Sequence, residues 1–338
     1  MICLIFCPKS YIIIAKGLDS LKTKILDMLK NSDGYVSGEK ISAALDISRT
    51  AVWKHIKNLK KDGYIIQSVT NKGYRLVSSP DILDADTIKS KLNTKFIGRN
   101  IIIFDETDST NAQAKNNSSA PEGTVFIAEV QKSGRGRLGR NWESPRGAGI
   151  WHSILLKPDI PLADVSQITL AAGLAVCRAL GGDAKIKWPN DIVIGTKKVC
   201  GILTEMSAET DRINYVVCGI GINVNTESFP SDIAEKATSL RIEYGHMFDR
   251  CEIIARFLNE FEDIYKTFSA HGLSAILDEY KAHCITLGRE VRVIMHNESV
   301  CGTAHGIAPD GSLIIRTENG DISVSSGEVS VRGIYGYI

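Results

Sequence analysis

Apolar positions recur at helical spacing near the start of the chain and then change to the alternation of strands. Between residues 18 and 29 they fall at 18, 21, 25, 26, 28 and 29, the spacing of an amphipathic helix. Two more helices are predicted, GEKISAAL after Ser37 and RTAVWKHIKNLKKDG after Ser48, each serine being an N-cap. Two short strands follow, YIIQSV and GYRLVS. This order predicts a winged helix-turn-helix.

The third predicted helix has an apolar stripe and a basic face. Val52, Ile56 and Leu59 share one side, and no acidic residue lies between Arg49 and Lys61. A basic helix after a tight turn favours insertion into the DNA major groove, with the hairpin on phosphates. A protein-interaction domain with a solvated lysine face is the alternative. The residues expected to contact DNA are Arg49, Thr50, Trp53, Lys54, Lys57, Lys72 and Arg75.

From about residue 84, short strands alternate with helices. Helices are predicted over 86–92 and 163–180, with strands IIIFDETD, TVFIAEV and IWHSILLKP between them and two long strands ending at GIGINVN. This pattern predicts a domain in which helices pack on a sheet. Two helices over 252–268 and 273–283 follow, and from residue 288 short strands separated by DG and NG turns predict a small SH3-like β-barrel. On sequence grounds that barrel is equally well read as a packing cap.

Polar residues stand where two of these strands end. Ser109, Thr110 and Asn111 open a helix after a strand, and Gln131 ends the next strand. The triplet is typical of a helix cap, which is the simplest interpretation. Its hydroxyl and amide groups also suit a neutral polar ligand group such as a ureido ring.

The heptapeptide GRGRLGR, residues 134–140, matches the dinucleotide-binding spacing G-x-G-x-x-G. That motif needs a helix after the glycines, whereas here residues 141–149 contain a proline and two more glycines. Arg135, Arg137 and Arg140 can instead grip phosphate through forked hydrogen bonds. We therefore expect a phosphate-binding loop, with a solvated basic turn as the alternative.

The segment AKIKWPND ends a predicted strand with a cation, an aromatic ring, an amide and a carboxylate. Asp191 can help to arrange a magnesium ion through water, because magnesium prefers oxygen ligands and keeps waters. An Asx-type turn at Asn190 and Asp191 is an equally good interpretation.

Lys198 begins a strand next to Gly201, and Gly219 and Gly221 interrupt the following strand. Glycines in buried strands indicate close approach of another group, here interpreted as a ligand. A lysine, several arginines and a magnesium ion converging on one place suit attack on the α-phosphate of ATP, where charge must be neutralised.

Charge and composition sharpen this picture. The 338 residues, 43% of them hydrophobic, are typical of a soluble protein of two or three domains. Residues 18–79 carry 11 Lys and Arg against 6 Asp and Glu, whereas the whole chain has a net charge of +1. A basic module is thus fused to a mildly acidic body. The eight cysteines form no C-x-x-C pair, which favours reduced buried thiols and a cytoplasmic location, and no apolar run reaches the about 18 residues of a membrane span.

Together, STN, Q-x-x-GRGRxGRxWxSP, KWPND, K-V-x-GILTE and GIGINVN resemble the motifs of the biotin–protein ligases. With a winged helix-turn-helix in front, the chain is similar to the bacterial proteins that combine biotin ligase with biotin operon repressor. The similarity covers about residues 18–335. It implies an α+β chain with an N-terminal winged helix-turn-helix, a central mixed-sheet ligase domain and a C-terminal SH3-like barrel.

The resemblance implies that biotin and ATP form biotinyl-5′-adenylate, and that biotin passes to a lysine of a biotin carboxyl carrier domain. It assigns the catalytic roles to Arg137 and Lys198. It assigns biotin binding to Ser109, Thr110, Asn111, Gln131, Arg135, Gly136, Arg137 and Lys198. It assigns ATP or adenylate binding to Arg135, Arg137, Arg140, Trp142, Asn190, Asp191 and Asn223.

The resemblance also supplies partners and a regulatory role. Magnesium arrives with ATP and is expected near Asp191, with no certain protein ligand. The adenylate acts as co-repressor by favouring a homodimer that binds a two-half-site operator, and residues 225–240 resemble a loop that orders at the adenine. No membrane partner is expected.

Four segments are predicted: a leader of unknown role at 1–17, the DNA-binding domain at 18–79, the catalytic domain at 84–284 and the C-terminal domain at 285–338. Two other functions remain open on sequence grounds. One is an acyl-adenylating enzyme like the lipoate–protein ligases. The other is a non-enzymatic repressor that senses a dinucleotide, which would need a helix after GRGRLG.

Overall fold

The chain divides into two units, Met1–Ile82 and Leu83–Ile338, each with its own core. The computed structural model describes residues 20–61, 63–78, 81–210, 212–295, 298–325, 329–333 and 337–338. The predicted leader at 1–17 lies outside the described residues. The predicted boundary between 84–284 and 285–338 stays a prediction, because contacts gather residues 83–338 into a single unit.

The first unit has three helices and a two-stranded antiparallel hairpin, as the sequence predicts. Its elements are α1 (Ser20–Lys30), α2 (Gly38–Leu45), α3 (Arg49–Lys61), β1 (Ile65–Val69) and β2 (Gly73–Ser78). The Ser37 hydroxyl accepts the Lys40 amide at 3.0 Å, and the Ser48 hydroxyl accepts the Ala51 amide at 3.1 Å, so both predicted caps form. Asp46, at a φ of 52°, ends α2 and makes the tight turn into α3.

The second unit is built on a seven-stranded mixed sheet of order β3-β4-β5-β9-β8-β7-β6, in which only β3 and β4 pair in parallel. Its strands are β3 (Ile101–Phe104), β4 (Val125–Ala128), β5 (Gly149–Leu156), β6 (Ala184–Lys187), β7 (Asp191–Ile194), β8 (Lys197–Glu209) and β9 (Arg212–Asn223). Its helices are α4 (Ala85–Ser90), α5 (Thr110–Asn116), α6 (Ile168–Leu180), α7 (Leu240–Tyr244), α8 (Arg250–His271) and α9 (Ser274–His283).

The last part of the second unit is a five-stranded antiparallel sheet of order β13-β12-β11-β10-β14. The strands are β10 (Glu290–Met295), β11 (Glu298–Ile307), β12 (Leu313–Thr317), β13 (Gly320–Val324) and β14 (Val329–Gly333). The α+β class with its three predicted parts is therefore confirmed.

Helices cover the large sheet on both faces. On one face α6 and α8 pack together over the main core, and on the other α5 packs against β4, β5 and β9 around Phe126, Leu155 and Val217. The segment Leu162–Leu180 is long and apolar enough to cross a membrane by length and composition alone. Ten of the thirteen residues of α6 are buried in this core, which is how the core helix of a globular protein passes the same test.

Several predicted elements differ in extent. The helix predicted over 163–180 begins as a 3-10 turn at Leu162–Gln167, before α6. The strand IIIFDETD shrinks to the four residues of β3, because its acidic end turns out of the sheet. The sequence DISVSSGEVSVRG, residues 321–333, contributes to two strands, β13 and β14. The short helix α7, capped by Ser239 and ended by Gly245, was not predicted.

Two buried acidic side chains fasten α8 to the segment after β4 and to the segment before β3. Arg250 lies at the start of α8 with its side chain 1% exposed, and its two terminal nitrogens bond both Glu129 oxygens at 3.0 and 3.1 Å. Glu262, in the middle of α8, accepts the backbone amides of residues 95, 96 and 97 at 2.6, 2.9 and 2.9 Å and pairs with Lys266. Each pair is satisfied by hydrogen bonds, as buried charges require.

Glu262→Gln tests the contribution of the Glu262 carboxylate to stability. Burial by itself would raise the pKa of Glu262, but Lys266 and the three backbone amides outweigh burial and lower the pKa to about 2. A carboxylate with a lowered pKa in the folded state adds stability above its unfolded pKa, near 4.5, and loses it as pH falls towards 2. We expect the variant to lose about 3 kcal/mol of unfolding free energy at pH 7, and this deficit to shrink below pH 4.

The measurement is urea unfolding followed by tryptophan fluorescence, since three of the four tryptophans lie in the second unit. Glu260→Gln is the control on the same helix, because Glu260 is 39% exposed. Equal losses in both variants, or a deficit that does not change with pH, would contradict the assignment.

Candidate active site

A small pocket of about 50 Å³ opens beside a cleft of about 1310 Å³ in the second unit. Gly136, Arg137, Trp142, Asn190 and Lys198 line both spaces. The small pocket is walled by the start of α5 and by the middle of β8 and β9, and the cleft extends towards the five-stranded sheet. The two spaces thus have different linings and meet at these five residues.

The Ser-Thr-Asn triplet and Gln131 form the far wall of the small pocket. The Gln131 side-chain oxygen accepts the Thr110 backbone amide at 2.8 Å and the Thr110 hydroxyl at 3.2 Å, and its amide nitrogen donates to Ser144 at 2.8 Å. Ser109 occupies the N-cap position of α5, but its side chain makes no capping hydrogen bond. The simple cap interpretation is thus not met, and Ser109 lines the small pocket.

Asn111 is fixed more tightly than any other member of the triplet. Its amide nitrogen donates to Glu205 at 2.7 Å, and its oxygen accepts the Ser153 hydroxyl at 2.5 Å. A Cβ atom at Gly219 would lie 2.1 Å from the same oxygen, so only glycine fits beneath Asn111. Burial raises the pKa of Glu205, but Lys115, 2.5 Å away, and Asn111 outweigh burial and lower it, which keeps Glu205 an acceptor.

The other two glycines make room for Trp142. A Cβ atom at Gly221 would lie 2.5 Å from the indole nitrogen, and one at Gly201 would lie 2.9 Å from the ring. The predicted close approach therefore occurs, but the group that approaches is a side chain of the protein instead of a ligand. The indole nitrogen is buried and has no hydrogen-bond partner among the described residues, so it can donate to a bound molecule.

Residues 134–142, called here the arginine loop, are closed by two backbone hydrogen bonds, from the Gly136 amide to the Arg140 carbonyl at 2.7 Å and from the Trp142 amide to the Gly134 carbonyl at 2.9 Å. After the glycines comes a three-residue 3-10 turn, Arg137–Gly139, and not the helix that a dinucleotide site requires. Leu138 in this turn has a φ of 56° and is 63% exposed. A dinucleotide-sensing repressor thus has no support in this loop.

The three arginines of the loop are not equivalent. Arg135 and Arg140 are exposed, whereas Arg137 is half-buried and donates to the Asn190 side-chain oxygen at 2.9 Å. Burial lowers the pKa of Arg137, and the Asp191 carboxylate partly offsets that effect. Arg137 is therefore the arginine already drawn towards the junction of pocket and cleft.

Lys198 and Asp191 form an ion pair at that junction. The Lys198 ammonium lies 2.6 Å from Asp191 Oδ1 and 5.0 Å from the centre of the Trp142 ring. Burial would raise the pKa of Asp191, but the charge and hydrogen bond of Lys198, the Tyr337 hydroxyl and Lys187 together lower it. Asp191 is thus a carboxylate held ionised by neighbouring cations.

The Asx-type turn at KWPND is not formed. The Asn190 amide donates to the Ile202 carbonyl at 3.0 Å, and Asp191 opens β7 with its carboxylate turned to Lys198. Both side chains bond to distant segments and not to their own turn. The Trp188–Pro189 peptide bond beside them is cis.

Asn223 is buried at the end of β9 and donates to the Thr238 carbonyl at 3.1 Å. Thr238 belongs to the segment 225–240, whose residues Phe229, Ile233 and Lys236 line the cleft. This segment is also joined to the backbone of Lys198, through Lys198 to Lys236 and Thr238 to Lys198 hydrogen bonds, both 2.8 Å. Asn223 thus holds the loop and does not reach the small pocket.

A magnesium ion fits this cleft only together with a ligand. In the part of the chain that the structure describes, no group of three or more His, Cys, Asp or Glu residues is placed to hold a metal. Asp191 offers one carboxylate, which suits an ion that brings its own phosphate oxygens and water. The prediction of reduced, buried thiols can be compared with the cysteines in the same part of the chain. Five of them are free and buried, and one, Cys301, is free and exposed; the buried ones are Cys177, Cys200, Cys218, Cys251 and Cys284.

In the first unit the seven residues predicted to contact DNA are all exposed, while the apolar stripe of α3 is buried. The Lys57 ammonium lies 5.0 Å from the centre of the Trp53 ring, and Trp53 is 54% exposed. On the hairpin, Lys72 is in the turn and Arg75 donates to Gln67 at 3.0 Å. The helix and the hairpin therefore carry the basic surface that was predicted.

Four residues of the site were missed by sequence reasoning: Ser144, Ser153, Glu205 and Tyr337. Ser144 and Glu205 lie inside the motifs WxSP and GILTE, so attention to polar residues in those motifs would have found them. Ser153 follows His152 in an otherwise apolar strand, which is a weak signal. Nothing in the sequence around Tyr337 indicates a place in the site.

Three family profiles match the chain: the Biotin/lipoate A/B protein ligase family at residues 102–223, an HTH domain at 22–75 and the Biotin protein ligase C terminal domain at 286–332. The first covers the loop, the junction and both long strands. The other two coincide with the basic first unit and with the five-stranded sheet.

Among curated proteins, the chain is similar to the bifunctional ligase/repressor BirA of Bacillus subtilis, with 40% identity over 92% of this chain and 99% of the relative. BirA of Escherichia coli K12 is 29% identical over 93% and 98%. Among solved structures, the biotin protein ligase of Aquifex aeolicus in complex with biotin and ATP matches with a TM-score of 0.63 and 33% identity, covering 70% of this chain and 99% of that one. The chain therefore belongs to the family of the bifunctional ligase/repressors, within the biotin and lipoate protein ligases.

Proposed function

We propose that this protein activates biotin with ATP, transfers it to a lysine of a biotin carboxyl carrier domain, and represses transcription as a DNA-bound protein. The observation that carries the proposal is the meeting of Lys198 and Arg137 where the small pocket opens into the cleft. One space suits biotin and the other ATP, and the two cations stand where their reacting groups meet.

The small pocket provides neutral hydrogen-bonding groups for the ureido ring. Ser109 offers a hydroxyl that the helix does not use, and Asn111 and Gln131 are pre-oriented by Glu205, Ser153 and Ser144. Fixed polar groups bind a neutral ring without the cost of reorganisation at the moment of binding. Arg135 and Gly136 of the loop close the same pocket.

In the first reaction the biotin carboxylate attacks the α-phosphorus of ATP, an acyl–phosphate bond forms, and diphosphate leaves. Negative charge gathers on the α-phosphate, so fixed cations lower the barrier. Lys198 exchanges its bond to Asp191 for the carboxylate and phosphate, and Arg137 joins it from the loop. Asp191 would hold a magnesium ion through water, and the ion would supply positive charge for the departing diphosphate. Arg140, Trp142, Asn190 and Asn223 complete the nucleotide side.

The second reaction transfers the biotinyl group to a lysine amine, with release of AMP. Until the acceptor arrives the mixed anhydride must be shielded from water, and the loop around Arg137 supplies the cover. The acceptor is the carrier domain of a biotin-dependent carboxylase. The proposed function places this protein in the cytoplasm, where its carrier-domain partner and DNA are found. Free cysteines among the described residues suit that reducing compartment.

The repressor role rests on the exposed basic face of α3 and the hairpin. A homodimer favoured by the adenylate presents two such faces to a two-half-site operator, since dimer symmetry matches palindromic DNA. The adenylate is thus both intermediate and co-repressor.

Lys198→Ala tests the adenylation step. Losing the ammonium that neutralises the α-phosphate should lower biotin-dependent ATP–diphosphate exchange by about 10²- to 10³-fold, with biotin affinity little changed. Lys197→Ala is the matched control, because adjacent residues of a strand alternate in direction and Lys197 lines neither space. Exchange at the wild-type rate in Lys198→Ala would remove this residue from the mechanism, and exchange with lipoate in place of biotin would redirect the substrate assignment.

Arg137→Gly tests retention of the adenylate. The variant loses the phosphate anchor of the loop, so the adenylate should dissociate about 10- to 100-fold faster while biotin still binds. Hydroxylamine trapping of released adenylate measures the rate. Leu138→Gly, which loosens the same loop without removing charge, controls for flexibility. An unchanged release rate in Arg137→Gly, or an equal rise in both variants, would contradict the anchoring role.

Replacing Lys54 and Lys57 together by Ala tests the DNA interface. Removal of one lysine–phosphate ion pair should reduce the slope of log affinity against log salt concentration by about 1, so the slope should fall by about 2. The DNA is a sequence selected by the wild-type chain from a random pool with biotin and ATP present. Lys40→Ala, exposed on α2, is the control. An unchanged slope would remove α3 from the interface; exchange activity should be wild-type in all these variants.

A further inference from the structure

Residues 337 and 338 reach the cleft from beyond the last strand of the five-stranded sheet. The Tyr337 hydroxyl donates to Asp191 Oδ2 at 2.5 Å, and the Lys187 ammonium lies 3.5 Å from the centre of the Tyr337 ring. Both partners belong to the segment AKIKWPND. A side chain from the end of the described chain is therefore attached to the central motif of the cleft by two separate contacts.

The first contact makes Asp191 a shared carboxylate. Its Oδ1 faces the Lys198 ammonium at 2.6 Å and its Oδ2 accepts the hydrogen bond from the Tyr337 hydroxyl, so neither partner interacts with the full negative charge. Burial and the neighbouring carboxylate raise the pKa of Tyr337, which keeps the phenol protonated and able to donate. A hydrogen bond from a neutral donor weakens the hold of a carboxylate on its other partner, because the negative charge is spread over both.

The second contact concerns Lys187, a lysine that is only 6% exposed. A buried ammonium needs compensation, and the face of an aromatic ring within about 6 Å provides it. The ring of Tyr337 thus stabilises the Lys187 ammonium, a second cation close to Asp191 in the cleft.

We propose that Tyr337 is a positioning residue of the adenylation reaction. Its hydroxyl shares Asp191 with Lys198 and so leaves the Lys198 ammonium available to the α-phosphate, while its ring holds Lys187 beside the nucleotide. This inference rests on the proposed function. It concerns the ATP half of the site only, since Tyr337 lines the cleft and not the small pocket.

The consequence is a selective effect on ATP. Without the hydroxyl, Asp191 pairs with Lys198 alone and holds it more tightly, so moving Lys198 to the phosphate costs more. Tyr337→Phe should lower kcat/KM for ATP in biotin-dependent ATP–diphosphate exchange by about tenfold. The Kd for biotin, measured by equilibrium dialysis without ATP, should stay within about twofold of the wild type.

A double-mutant cycle shows whether the hydroxyl acts through Asp191. In an Asp191→Asn background, Tyr337→Phe should have almost no further effect, because the charge that the hydroxyl shares is gone. A purely structural role of the hydroxyl would give the same loss in both backgrounds. Exchange is measured with radiolabelled diphosphate, whose sensitivity covers the slower Asp191→Asn enzyme.

Two further variants separate the contacts and control for folding. Tyr337→Leu removes the hydroxyl and the ring, so it should lose more kcat/KM for ATP than Tyr337→Phe. Tyr280→Phe is the matched control, because Tyr280 is fully buried in α9 and its hydroxyl has no hydrogen-bond partner among the described residues. Urea unfolding of each variant, followed by tryptophan fluorescence, verifies that the second unit is intact.

The outcomes are distinct. Selective loss on ATP in Tyr337→Phe, absent in Tyr280→Phe and abolished in the Asp191→Asn background, supports the inference. Wild-type ATP kinetics in Tyr337→Phe, or equal losses in both backgrounds, overturn it while biotin-dependent exchange by the wild type leaves the proposed function standing. Absence of exchange in the wild type would overturn the proposed function and this inference together.

Discussion

The site depends on one buried carboxylate surrounded by cations. Asp191 lies at the start of β7, and Lys198, Lys187 and Arg137 surround it from β8, β6 and the arginine loop. Cations this close would repel one another in the absence of a negative centre, and their repulsion would open the junction between pocket and cleft. The Asp191 carboxylate therefore holds these cationic side chains close to one another until a phosphate group binds and becomes their anionic partner.

The second constraint on the site is the set of glycines in β8 and β9, which leave room for neighbouring side chains. Gly201, Gly219 and Gly221 carry no Cβ atom, so Asn111 and Trp142 can pack directly against the backbone of β8 and β9. Both side chains line the small pocket, and Trp142 also lines the cleft. The surface that a ligand meets is consequently made of groups whose positions are fixed by contact with backbone, which is a rigid arrangement.

Sequence reasoning was successful where the residues of one short segment determine the structure of that segment. The capping serines of α2 and α3, the buried stripe of α3 and the lack of a helix after GRGRLGR are local facts, and each was predicted. The outcome for the glycines shows the limit, because a missing side chain indicates close approach without saying what approaches. Glu205 and Tyr337 act across 94 and 146 residues of chain, on Asn111 and Asp191, and no periodicity carries that information. The split of DISVSSGEVSVRG into two strands likewise depends on which neighbours each half finds in the sheet.

The short bridge between Lys198 and the segment 225–240 links two parts of the site mechanically. The backbone of Lys198 is bonded on one side to Lys236 and on the other to Thr238, at an isolated parallel bridge centred on Ala237. The segment therefore cannot shift along β8 without breaking the two bonds that flank this lysine. Any rearrangement of that segment would strain the peptide units that carry the Lys198 side chain, so the position of residues 225–240 and the direction of this ammonium are coupled.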